Sequence, residues 1–90
     1  MGKYLVELYL PRAGSGGLPS AAARARSAAE GMASGGTVVR YLRSIFLPDD
    51  ELCFLLYEGP SAEAVGEAAR RAAITYDRIV EAALDEDEGR

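Results

Sequence analysis

Residues 37–58 read TVVRYLRSIFLPDDELCFLLYE, two apolar runs separated by a polar turn. Residues 37–47 and 52–58 are dense in β-branched, aromatic and leucine side chains, whereas Pro48, Asp49, Asp50 and Glu51 are turn formers. An antiparallel hairpin follows. Pairing Phe46 with Leu52 sets Ser44 against Phe54, Leu42 against Leu56, and Arg40 against Glu58, where opposite charges meet. Val39, Tyr41, Arg43, Ile45, Cys53, Leu55 and Tyr57 then share the opposite face, because strand side chains alternate with period two.

Before the hairpin, residues 4–10 (YLVELYL) have the composition of a strand, and Pro11 ends it by removing a backbone donor. Gly14, Ser15, Gly16 and Gly17 read as a flexible connection. Ser20 then caps an alanine-rich helix that runs to about Met32, with Leu18, Ala22, Ala25, Ala29 and Met32 as its inward stripe. Gly35 and Gly36 stop it. After the hairpin, Gly59 and Pro60 break the strand and Ser61 caps a second helix. Glu63 suits that helix's N-terminal dipole, and Ala62, Val65, Ala69 and Ala72 form its apolar stripe. Residues 78–82 (RIVEA) read as a last strand, with a helical turn as the alternative.

The order βαββαβ folds most simply as an α+β, ferredoxin-like domain: a four-stranded antiparallel sheet with two helices on one face. Residues 1–84 form that single domain, and residues 85–90, led by Asp85, Glu86, Asp87 and Glu88, read as an acidic disordered tail. Both hairpin faces are substantially apolar, yet two helices cover only one. A homodimer closing the other face is the expectation, against a monomer that tolerates the exposure.

Composition narrows the function. No apolar run approaches the ~18 residues of a membrane span, and no signal-peptide pattern precedes the first strand, so a cytoplasmic protein without membrane contact is expected. The net charge of -4, with Lys and Arg dispersed, argues against nucleic acid. Cys53 lies in an apolar run as a buried thiol. The chain has no histidine, which removes the commonest metal ligand and the usual general base. No nucleophile–base pair and no zinc spacing can be assembled, and the glycines at 14, 16 and 17 read as a linker rather than a phosphate loop. What remains is a polar set within apolar strands, Glu7, Tyr9, Arg40, Arg43, Ser44 and Glu58, which forms the candidate ligand site. Its structural alternative pairs Arg40 with Glu58, and Glu7 with Arg43 or Arg40. Asp49, Asp50 and Glu51 read as a solvated turn rather than a hard-cation site.

Residues 39–72, VRYLRSIFLPDDELCFLLYEGPSAEAVGEAARRA, resemble a family of small bacterial ferredoxin-like proteins of unknown function that includes a nickel-binding member. The likeness rests on Tyr41-Leu42-Arg43-Ser44, on Asp50 and Cys53, and on Tyr57-Glu58-Gly59-Pro60 and Glu67-Ala68-Ala69-Arg70. It implies the fold, a dimer, a modest cavity at the sheet, and nickel as the cofactor to consider. Metal-binding members carry histidine where this chain has Arg43 and Ala68. The reading is therefore a non-enzymatic, dimeric small-ligand or metal-binding protein. Its rivals are a cofactor-free monooxygenase or isomerase, with Arg or Tyr holding a substrate anion, and a structural interaction module.

Overall fold

The structure, a computed structural model, describes residues 1–84; the acidic run from Asp85 onward lies outside the described residues. The strands are β1 (Gly2–Tyr9), β2 (Arg40–Leu47), β3 (Leu52–Gly59) and β4 (Arg78–Ala82), and the helices are α1 (Leu18–Ser34) and α2 (Ala62–Arg71). The sheet order is β2-β3-β1-β4 and every neighbouring pair is antiparallel, the arrangement expected of a ferredoxin-like βαββαβ chain.

Both helices pack on one sheet face. Val6 from β1 and Cys53, Leu55 and Tyr57 from β3 meet Ala25, Ala29 and Met32 of α1 and Val65, Ala68 and Ala69 of α2 in one buried cluster. Small alanines let the helices lie close to the strands. Gly59 extends this closeness, since a Cβ there would stand 3.2 Å from Val65 Cγ2.

Three local expectations change. The glycine segment is not a loose linker: Arg12–Gly17 forms a 3-10 helix that feeds directly into α1. α1 consequently begins before Ser20, with Gly17 at the N-cap and a proline, whose φ is already helical, in the first turn. Ser20 instead accepts a hydrogen bond from Arg24 Nη1 at 3.1 Å.

The third change concerns the hairpin register. Arg40 does face Glu58, and Tyr41 faces Tyr57, but a bulge between Tyr41 and Arg43 absorbs Leu42. Beyond it Arg43 faces Leu56, Ile45 faces Phe54 and Phe46 faces Cys53. One inserted residue exchanges the two faces of the strand from that point on. Ser44 and Phe46 thus turn toward the helices, and Arg43, Ile45 and Leu47 turn away from them.

Candidate functional site

The sheet face without helices is set by alternation from the buried cluster. It carries Lys3, Leu5, Glu7 and Tyr9 from β1, Leu52, Phe54, Leu56 and Glu58 from β3, Arg40, Arg43, Ile45 and Leu47 from β2, and Arg78, Val80 and Ala82 from β4. Its middle is apolar: Leu5, Phe54, Leu56 and Val80 adjoin, and Leu56 is only 5% exposed although no helix covers it. Ile45 is 43% exposed and Leu47 38%.

Charges rim this band in ordered pairs. Glu7 Oε1 accepts from Arg78 Nε at 2.9 Å. Glu58 lies between two cations, with Lys3 Nζ at 3.6 Å and Arg40 Nη1 at 3.4 Å. Arg43 has no ion pair or side-chain hydrogen bond among the described residues. Tyr9 stands at the sheet end, 60% exposed, and donates to Glu51 Oε1 at 3.3 Å. The Glu51 carboxylate beside it raises the phenol's pKa, with desolvation and the hydrogen bond adding to the shift. Glu51 also accepts from the Arg12 backbone N–H at 2.8 Å, and Arg12 Nη2 reaches Asp49 Oδ1 at 2.5 Å. The acidic turn is thereby fastened to the 3-10 helix.

Of the six sequence candidates, Glu7, Tyr9, Arg40, Arg43 and Glu58 share the uncovered face. Ser44 does not join them; its hydroxyl is hydrogen-bonded to the Tyr41 hydroxyl on the helix side. Glu7 pairs with Arg78 rather than with Arg43 or Arg40. Arg78 and Lys3 are the residues that sequence reasoning missed, and their signal lay in strand order: once β4 and β3 flank β1, Arg78 falls opposite Glu7 and Lys3 opposite Glu58.

The helix side has its own features. Tyr57 is fully buried, its ring lies edge-on to Tyr41 with centroids 5.7 Å apart, and Arg26 sits 5.1 Å above the Tyr41 ring. Burial, and secondarily the neighbouring Tyr41, push the Tyr57 phenol up to about 12. Hollows of about 330 Å³ beside Arg26, Val39 and Tyr41 and about 210 Å³ beneath Leu10, Leu18 and Ile74 open around α1. Among the candidates, only Arg40 touches either of them. No helix of the described residues is long and apolar enough to cross a membrane.

Comparison with known proteins places this geometry in context. The SCO4226-like profile, described as a nickel responsive protein, matches residues 4–82. The crystal structure of SCO4226 from Streptomyces coelicolor A3(2) matches with a TM-score of 0.76 and 24% identity, covering 92% of this chain and 98% of that one. That likeness carries the fold. No curated protein matches.

The donors among the described residues do not fit nickel. Nickel favours imidazole and thiolate ligands. The sequence has no histidine, and among the described residues no three of Cys, Asp and Glu converge as a cation site. Cys53 is fully buried, and desolvation raises its thiol pKa, the reverse of what a thiolate ligand needs. Glu7 and Glu58 are already held by cations.

Proposed function

This chain belongs to the SCO4226-like family of nickel responsive proteins, and on that premise we propose that it is a non-enzymatic small-ligand-binding protein working as a homodimer, its two sheets packed uncovered face to uncovered face. One observation carries the proposal: the apolar band of Leu5, Phe54, Leu56, Val80 and Ile45 has no helix over it. The second copy is the occupant that the shape and extent of the band favour, because the same apolar rows on a second copy match it across a twofold axis.

Size is consistent with this. Four strands about 4.8 Å apart, with up to eight residues rising about 3.4 Å each, outline roughly 500 Å² in projection. Side-chain relief brings that toward the ~800 Å² per partner of a standard interface. The non-enzymatic part rests on Glu7 and Glu58, the carboxylates of this face, each being engaged in ion pairs. A cytoplasmic setting, with Cys53 as a free buried thiol, belongs to the same reading.

Native mass spectrometry of protein purified without a metal column tests the proposal. The expected result is a dimeric mass at micromolar concentration, and a monomer there would refute the closed sheet pair.

A further inference from the structure

We infer that the uncovered face selects an anion, a small organic carboxylate with an apolar body, with Arg43 as the residue that receives its charge. For its enclosed setting this rests on the dimer reading. The face holds four cationic side chains, Lys3, Arg40, Arg43 and Arg78, against two carboxylates, Glu7 and Glu58. Both carboxylates are engaged: Arg78 takes Glu7, while Lys3 and Arg40 share Glu58. Arg43 is the guanidinium of this face with no ion pair or side-chain hydrogen bond among the described residues.

Its surroundings define the ligand. Arg43 stands opposite Leu56 across the β2/β3 ladder, with Leu5 and Val80 continuing the same row toward β4. Ile45 and Phe54 begin the adjoining row, which the paired Glu7 and Arg78 complete on the far side of the sheet. Covering such a face with a second copy brings the Arg43 guanidinium of each copy into a poorly hydrated space, where an unpaired charge is costly. A guanidinium matches a carboxylate with two parallel hydrogen bonds, and the apolar rows beside it accept a hydrocarbon or ring. A divalent cation meets the opposite balance here.

The bulge at Leu42 makes the arrangement possible. In an unbroken register Arg43 would share a face with Cys53 and Leu55, beneath the helices. The extra residue turns it to the uncovered side.

The test uses the full chain, untagged, with benzoate, acetate and nickel chloride as separate probes, read by isothermal titration and native mass spectrometry. Expected are saturable benzoate binding, acetate at least about tenfold weaker for lack of apolar contact, and no retained nickel. Arg43→Gln should weaken benzoate at least about tenfold, while Arg26→Gln, on the helix side, should leave it unchanged. The carboxylates of Asp85, Glu86, Asp87 and Glu88 share the ligand's chemistry, so a chain with all four changed to amides distinguishes the sources. Benzoate binding that appears only in that chain would overturn the inference of a free ligand, and equal binding supports it. A dimer that ignores benzoate, an Arg43→Gln chain that binds it normally, or stoichiometric nickel uptake would each overturn the inference. A monomer that binds benzoate through Arg43 would support it while refuting the dimer.

Discussion

Tyr57 concentrates the chemistry of the core in one side chain. It is fully buried, and its hydroxyl has no hydrogen-bond partner among the described residues. An unpaired buried hydroxyl costs about 1–3 kcal/mol. Tyr57→Phe keeps the ring against Tyr41 and removes that cost, so it should stabilise the fold by about 1 kcal/mol in urea denaturation near neutral pH; a loss of stability would mean the hydroxyl is satisfied. The same residue sets an alkaline limit. Its folded pKa is raised from 10.0 to about 12, so the neutral form is favoured in the folded state. That contribution is whole below about pH 10 and is lost as pH rises toward 12, because the unfolded chain releases the proton first. Wild type should therefore weaken more between those values than Tyr57→Phe does, with both followed by urea midpoints at each pH. At this scale the sequence was readable where charge met charge across neighbouring strands, as for Arg40 and Glu58. Glu7 was not, because its partner Arg78 lies 71 residues away and becomes its neighbour only through sheet order.

Helix ends show how local chemistry shapes the elements. α1 closes with Gly36 at φ 103°, where Thr37 N–H donates to Met32 O at 3.0 Å and Gly36 N–H to Ala33 O at 3.1 Å. α2 closes with the same pair of bonds, Ile74 N–H to Ala69 O and Ala73 N–H to Arg70 O, each 3.0 Å, but places Ala73 at φ 60°. A Cβ in the left-handed region costs roughly 1–2 kcal/mol, which glycine avoids at α1. Ala73→Gly should raise stability by about 1 kcal/mol in thermal or urea unfolding after the added chain entropy is counted; an unchanged midpoint would mean Ala73 is unstrained. At the other end of α2, Ser61 Oγ accepts from Ala64 N–H at 3.1 Å. Ser61→Ala should cost about 1 kcal/mol by the same measurement, and Ser61→Asp should recover most of it. Ser61 was legible as a cap because a broken strand, Gly59-Pro60, precedes it. Ser20 misled because the 3-10 helix before it carries helical backbone through to Pro19, leaving no free helix start for it to cap. The order and type of the elements could be read from composition, since each apolar run was bounded by turn residues. The bulge could not: Tyr41-Leu42-Arg43 contains neither glycine nor proline, and strands apolar on both faces give alternation nothing with which to fix register.

For the whole molecule, that ambiguity is the same property that leaves one face uncovered. A strand apolar on both faces cannot announce which residues face which, so the sequence pattern groups Ser44 with the candidate site although it lies under the helices, while Arg43 and Ile45 reach the uncovered side only through the bulge. Ile45 offers the most direct test of what covers that side. At 43% exposure in the protomer, a charge in its place should alter monomer stability by only about 0.5 kcal/mol. Between two packed sheets the same charge would be desolvated and unpaired, and association would weaken at least about a hundredfold. Light scattering on a sizing column should therefore give a dimer for wild type and a monomer for Ile45→Asp, with near-identical circular dichroism. Ala33→Asp, on the exposed side of α1, should remain dimeric. Melting temperature supplies an independent reading, because mass action makes a dimer's midpoint rise with protein concentration whereas a monomer's stays constant. A wild-type midpoint that ignores concentration, or an Ile45→Asp chain that keeps the dimeric mass, would show that the apolar band is not where two copies meet.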